Sequence, residues 1–280
     1  MISQLKSIKD TLHDHKLTAR KSLGQHFLLN PSITERIVAL AGSLVGRSVV
    51  EVGPGPGGLT RALLKTPALH IHAVESDIRA IAIIEELAQY DPHRLKVTQA
   101  DALQYDLSTL VPEPRHIIAN LPYNIATPLL IGWLRQATAW EKLTIMLQLE
   151  VAKRICAPPH STHYGRLAVL CQWCANCTIR MKLSPGAFSP PPAVWSAVTS
   201  ITPHSHQPSP DLFQAMEQVT AIAFGQRRKM LHSAFKKLNG NTLLATADIN
   251  GTRRAETLTI AEFDRLAHAY LAHKTFNSSN

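Results

Sequence analysis

A doubly wound, Rossmann-like α/β domain followed by a small all-helical domain is the fold class this sequence predicts. Three observations predict it. A β-branched run, Val49 to Val52, feeds the glycine-dense turn Gly53-Pro54-Gly55-Pro56-Gly57-Gly58, after which Leu59 to Leu64 reads as the start of a helix. Apolar runs of strand length then alternate with stretches of helix length, the rhythm of a parallel sheet with crossover helices. Last, Pro203, Pro208 and Pro210 crowd into a break, beyond which every pattern is helical. The domain boundary is placed there, giving residues 1–205 to a catalytic domain and 206–280 to a helical recognition domain.

Taken in order, residues 3–17 mix Leu5, Ile8 and Leu12 with Lys6, Lys9 and Lys16, which predicts a short surface helix. Asn30 suits an N-cap and Pro31 the first helical turn, so a helix is expected from there to about Leu44. The strand Ser48–Val52 leads through the glycine turn to a helix over Gly58–Lys65. Strands are then predicted at Ile71–Val74, Leu95–Thr98, His116–Ala119 and Leu143–Leu149, with helices at Ile78–Gln89 and Pro128–Arg135 between them. Helices at Glu150–Ile155 and Gly165–Trp173 and strands at Cys177–Leu183 and Val194–Ile201 complete the first domain. Beyond the prolines, helices are expected at Leu212–Phe224, Arg228–Lys237 and Ile260–Ala272, the last opened by Thr259 and Glu262 at capping-box spacing. Ligands of such sheets bind beyond the carboxyl ends of the strands, and Gly53, Glu75, Asp101 and Asn120 each fall at such an end.

The glycine turn matches the dinucleotide fingerprint Gly53-x-Gly55-x-x-Gly58, with Glu75 where a ribose-binding acid would stand. Two details turn it away from a dinucleotide. Pro54 and Pro56 carry no N–H, which removes two donors a pyrophosphate would want. Glu51 sets a carboxylate just before the turn, a poor neighbour for phosphate and a tolerable one for a cation. A cofactor with a ribose, an adenine and a sulfonium but no phosphate suits the loop, and S-adenosyl-L-methionine is that cofactor. An NAD-dependent oxidoreductase is the reading these prolines disfavour.

Asn120-Leu121-Pro122-Tyr123 carries the second chemical signal. An exocyclic adenine amine is a poor nucleophile because its lone pair is delocalised into the ring. Acceptors that bind both amine hydrogens can turn that lone pair toward an incoming methyl group. The Asn120 amide oxygen and the Leu121 carbonyl can do this, with Pro122 stiffening the turn and Tyr123 offering a face on which a base stacks.

The net charge of +9 is unevenly spread. Residues 51–150 are mildly acidic, whereas residues 151–205 contain basic residues and no acid at all, and the two ends of the chain are basic. A polyanionic partner is implied, with contacts outside the cofactor unit. No apolar run approaches the roughly 20 residues that span a bilayer, so no membrane partner is expected and a cytoplasmic location is. Cys171, Cys174 and Cys177 have metal-ligand spacing, but no fourth ligand stands at a matching interval, and they read as core thiols rather than a metal site.

With these residues in view, the chain resembles the ribosomal RNA adenine-N6,N6-dimethyltransferase family from Lys21 to about Phe263. The stretches that carry the resemblance are KSLGQHFL, VVEVGPGPGGLT, AVESD, Ala100-Asp101, NLPYNIATPLL, YGRLAVL, FSPPPAVWSAV and FGQRRKML. The resemblance implies a class I methyltransferase domain that uses S-adenosylmethionine and dimethylates two adjacent adenosines near the end of small-subunit rRNA. It implies that His26 and Leu28 line the cofactor site, Gly53 floors it, Glu75 holds the ribose and Asp101 the adenine amine. Asn120 then touches both cofactor and target, and Phe188 with its following prolines sandwiches a flipped adenine against Tyr123. His26 stands where many members have Asn, and Ala193 where a Lys is frequent. Partners implied are ribosomal RNA and the immature small subunit, met by a monomer. Two alternatives stay open: dimethylation of one adenosine in large-subunit rRNA, and a non-catalytic assembly factor of the same fold.

Overall fold

The computed structural model describes residues 5–20 and 24–278, with side chains to residue 274. Lys21, Ser22 and Leu23, which open the first motif, lie outside the described residues. The chain forms two compact units, one from residues 1–152 and 178–203, the other from 153–177 and 204–280.

The first unit opens with α1 (Ile8–Asp14), β1 (Phe27–Leu28) and α2 (Pro31–Ala39). Asn30 caps α2 as expected, its side chain accepting from Ser32 N at 3.0 Å. The helix stops short of Leu44 because Gly42 turns into the left-handed region at φ +86. Then follow β2 (Ser48–Val52), α3 (Gly58–Leu64), β3 (His70–Glu75), α4 (Ile78–Ala88), β4 (Leu95–Gln99), β5 (Arg115–Asn120), α5 (Ala126–Arg135) and β6 (Lys142–Gln148). Next come α6 (Leu149–Ile155), α7 (Arg166–Cys174), β7 (Ala175–Leu183), β8 (Phe188–Ser189) and β9 (Ser196–Pro203). Seven strands form one sheet in the order β4-β3-β2-β5-β6-β9-β7, and β1 pairs with β8 in a separate two-stranded ladder.

Strands β2 to β6 run parallel, and β9 runs antiparallel to β6. The run Ser48-Val49-Val50-Glu51-Val52 is buried at every position, as a strand covered by helices on both faces must be. The outer strand β4 instead exposes Lys96 and Gln99. Apolar faces of α2 and α3 close the core against the sheet through Ile37, Val38, Leu59, Leu63 and Leu64. Residues 6–18 are tied down by side chains: the Arg61 guanidinium donates to Lys6 O at 3.0 Å and Thr11 Oγ1 at 2.9 Å, and Arg79 donates to Thr18 O at 3.2 Å.

The second unit contains α6's last residues, α7, and then α8 (Pro210–Gly225), α9 (Leu231–Ala234), α10 (Gly240–Thr246) and α11 (Ile260–Ser278). Residues 153–177 therefore belong with the helices and not with the 1–205 domain expected from the sequence. The reason is the apolar face of α7: Ala168, Val169, Leu170, Cys171 and Cys174 are buried, and α7 packs on α8 and α11. Tyr164 donates to Leu258 O at 2.9 Å and Trp173 Nε1 to Asp264 Oδ1 at 2.8 Å, fastening the two segments together. Burial pushes the Cys171 thiol well up and Cys174 up to about 12, so both stay protonated core groups.

The helix expected over Arg228–Lys237 is present as α9 at Leu231–Ala234 and a 3-10 turn at Lys236–Leu238, which ends where Asn239 takes a left-handed conformation at φ +52. The capping box forms as read: Thr259 N donates to Glu262 Oε2 at 2.8 Å and Glu262 N to Thr259 Oγ1 at 3.2 Å. Among the described residues no helix is long and apolar enough to cross a membrane.

Candidate active site

The carboxyl ends of β2, β3 and β5 converge on a cleft lined by residues 24–28, the glycine turn, Glu75 and Asn120–Tyr123. Each wall has its own construction.

The glycine turn is closed on itself. Gly53 N–H donates to Val74 O at 2.9 Å, Gly57 N–H to Pro54 O at 3.0 Å, and Gly55 N–H to Glu75 Oε2 at 3.2 Å. Pro54 and Pro56 have no N–H. Every amide from Gly53 to Gly57 is thus absent or already used, which leaves that part of the turn without donors for a pyrophosphate. Gly55 sits at φ +53 with Phe27 about where a side chain would go, its Cε1 3.4 Å from an added Cβ. Gly58 lets β1 close over the turn, because a Cβ there would meet Leu28 O at 2.8 Å.

Glu75 is buried but faces the cleft. Its Oε1 accepts from Ser76 N at 2.8 Å and Asp77 N at 2.9 Å, while Oε2 takes the Gly55 bond. Burial pushes its carboxyl up, and the three backbone donors work against that. A carboxylate fixed this way is placed to accept from a pair of vicinal hydroxyls. A ribose with no phosphate attached satisfies both this acid and the closed turn, so the residues present fit S-adenosylmethionine.

Glu51 departs from the expectation set by the sequence. It is fully buried, is not part of the cleft wall, and accepts from Thr60 Oγ1 at 2.7 Å. Burial raises its pKa to about 8, so it carries a proton at neutral pH and offers no charge to a sulfonium. The feature that disfavours a pyrophosphate is instead the loss of donors between Gly53 and Gly57.

On the opposite wall Asn120 Nδ2 donates to His26 O at 3.3 Å, which commits the nitrogen and leaves Oδ1 as the free end of the amide. The turn's own bonds close on Pro122 O, from Ile125 N at 3.2 Å and Ala126 N at 3.1 Å, so the Leu121 carbonyl is not spent in holding it. Tyr123 OH pairs with Ser196 Oγ at 2.7 Å, and burial raises the phenol's pKa. The ring beside Tyr123 is His26, with centroids 5.9 Å apart and planes at 28°. His26 Nδ1 lies 2.8 Å from Pro190 O, and since a carbonyl only accepts, that nitrogen carries the proton.

Of the residues named from the sequence, His26, Leu28, Gly53, Glu75, Asn120, Leu121, Pro122 and Tyr123 line the cleft together. Two do not. Asp101 lies just beyond β4 with its carboxylate turned onto its own loop, accepting from Leu103 N at 3.0 Å and Gln104 Nε2 at 3.2 Å. Phe188 is buried in the core opposite Leu28 in the β1–β8 ladder, so Tyr123 faces His26 rather than Phe188. Three further residues support the site. Gln25 donates to Asp77 Oδ2 at 3.0 Å, Asp77 is gripped by Arg79, and Ser196 anchors Tyr123. The Arg79 guanidinium holds the Asp77 carboxyl down at about 2. The AVESD stretch carried a signal for Asp77, and FSPPPAVWSAV contains Ser196, but neither gives the partner it holds.

Residues 16–271 match the family of proteins described as Ribosomal RNA adenine dimethylase. Ribosomal RNA small subunit methyltransferase A of Gluconobacter oxydans is 63% identical over 270 residues, spanning 96% of this chain and 89% of its own. The protein of the same name from Paramagnetospirillum magneticum is 49% identical over 271 residues, spanning 96% of each. Among solved structures, a dimethyladenosine transferase from Plasmodium falciparum superposes with a TM-score of 0.72 at 26% identity, covering 86% of this chain and 96% of that one.

Proposed function

The chain belongs to the ribosomal RNA adenine dimethylase family, and from that premise we propose that it dimethylates the N6 amines of two adjacent adenosines in a loop near the 3′ end of small-subunit (16S) rRNA. It is an S-adenosylmethionine-dependent methyltransferase. Bound in the cleft, that cofactor supplies an electrophilic methyl group on a sulfonium, an excellent leaving group. The protein's own residues bind, orient and exclude water. Glu75 takes the ribose hydroxyls, Leu28 and His26 cover the site from the N-terminal segment, and Gly53 forms its floor. Asp101 takes the adenine amine once its carboxylate leaves its own loop.

The observation that carries the reading is the orientation of Asn120. With Nδ2 held by His26 O, Oδ1 is left to accept from the target amine, and the Leu121 carbonyl accepts from its second hydrogen. Both acceptors pull the amine out of conjugation and aim its lone pair. Tyr123 supports the base, and Phe188 is the other face of the sandwich if β8 gives way when the adenine flips in. The substrate is the immature small subunit, met in the cytoplasm by a monomer, and the helical unit adds contacts to the RNA. Methylated adenosines mapped on ribosomal RNA with and without the protein test the target. Two dimethylated neighbours should appear in small-subunit rRNA only with the protein, and methylation elsewhere would overturn the assignment. Naked rRNA compared with immature subunits as substrate tests the second part.

A further inference from the structure

Trp195 is 51% exposed and stands at the start of β9. Register places that start at the active rim: Ser196 pairs with Gln148 at the carboxyl end of β6, the end at which β2, β3 and β5 deliver Gly53, Glu75 and Asn120. Ser196, the next residue, holds Tyr123 OH at 2.7 Å. The Trp195 carbonyl is itself pinned, accepting from Leu149 N at 2.8 Å. Before it come the prolines 190–192 and Val194, which is also exposed. A large indole is therefore held in water, on a fixed backbone, one residue from the group that fastens the target-side tyrosine. Lone exposed apolar residues need no explanation in general. This one stands beside the rim end of β9, next in the chain to the residue that holds Tyr123 and within an acid-free stretch, in a protein whose other tryptophans are occupied. Trp133 and Trp140 are 4% and 3% exposed, and Trp173 donates to Asp264.

We propose that Trp195 is a stacking platform for an unpaired nucleobase flanking the target adenosine, and so helps select a single-stranded loop over a duplex. The inference rests on the reading of the protein as an RNA adenine methyltransferase. An indole face accepts any base, and stacking releases no counterions. At Ala193, two residues before it, no cation is available to hold the backbone; Trp195 supplies a hold that salt does not weaken.

The four tryptophans make the test direct. A short unpaired oligoribonucleotide carrying adjacent adenosines should quench the emission of the full-length protein, and Trp195→Ala should abolish that quenching. RNA affinity should fall roughly tenfold in Trp195→Ala, by the same ratio at low and high salt, and recover in Trp195→Phe. Under turnover the loss should appear in KM for RNA, with kcat unchanged at saturation. Quenching that persists in Trp195→Ala, or unchanged affinity for the oligonucleotide, overturns the proposal. A defect confined to assembled subunits also overturns it, in favour of a protein contact. Failure of the unaltered protein to methylate RNA would instead overturn the functional reading, since the quenching can be scored without turnover.

Discussion

The two walls of the cleft are built by different means. The cofactor wall is local: the glycine turn, Glu75 and Asp77 lie within 25 residues of one another, and backbone amides hold its key carboxylate. The target wall is assembled from distant segments. Asn120 meets His26 across 94 positions, Tyr123 meets Ser196 across 73, and His26 meets Pro190 across 164. A wall of backbone bonds is set once the strands pair. A wall of side-chain bonds between remote segments depends on several elements at once. Substitutions on the first should therefore act on one ligand, while those on the second should spread.

The largest expected effect is on the target wall. Asn120→Ala removes the acceptor proposed for the target amine together with the bond to His26 O, and should lower single-turnover methylation by about 10²–10³ and also lower thermal stability, while RNA affinity falls far less. Equal losses in both would erase the distinction between catalysis and binding at Asn120.

Glu51 tests whether the cofactor wall depends on charge. Its folded pKa of about 8 lies above the ordinary 4.5, so the folded protein keeps a proton that the unfolded chain sheds. This contribution to stability is complete below pH 4.5 and is lost as pH rises to about 8. Glu51→Gln keeps the neutral shape, so its stability relative to the parent should rise by about 1–4 kcal/mol between pH 5 and pH 8, read by denaturant titration. Cofactor affinity at pH 7 should stay unchanged. A tenfold loss there would mean that Glu51 acts as an anion after all.

Glu75→Ala should weaken cofactor binding by about 1–3 kcal/mol in calorimetry and leave RNA affinity alone. Tyr123→Phe, which removes only the bond to Ser196, should cost about 1 kcal/mol and should show in both RNA capture and thermal stability. If that variant changed a single property, the idea of a coupled wall would fail. The smallest effect is expected in the helical unit. Arg227 is engaged by Glu256 at 3.0 Å and by Thr162 O at 3.0 Å, so of the Arg227-Arg228-Lys229 run it has the least to offer a phosphate. Arg228→Ala should reduce the salt slope of RNA binding by about 1, and Arg227→Ala by less.

The same division explains what could be read from residues alone. Strand β2 was found to the residue, because a buried β-branched run ending in glycines has few other solutions. The closed amide turn was half legible: its prolines announce two missing donors, but the use of the other amides depends on where Val74 and Glu75 come to lie. The partners of Ser196 and Pro190 and the tautomer of His26 were not legible, since each depends on register between segments far apart in sequence. The helical unit misled for a related reason. Pro203, Pro208 and Pro210 mark a real break, yet nothing in residues 153–177 says that their apolar face is covered by helices made later.

Because the helical unit draws on residues 153–177 and on 204 onward, it cannot close in the order in which it is made. Synthesis proceeds from the N-terminus, so α7 emerges well ahead of α8 and α11, the two helices that cover it. For that interval the nascent chain carries a bare strip of Ala168, Val169, Leu170, Cys171 and Cys174. A gene shortened to end at residue 205 would make that strip permanent. Such a product would be a sticky fragment and not a minimal methyltransferase, and a truncation intended to isolate the catalytic unit must splice out 153–177 as well as the tail.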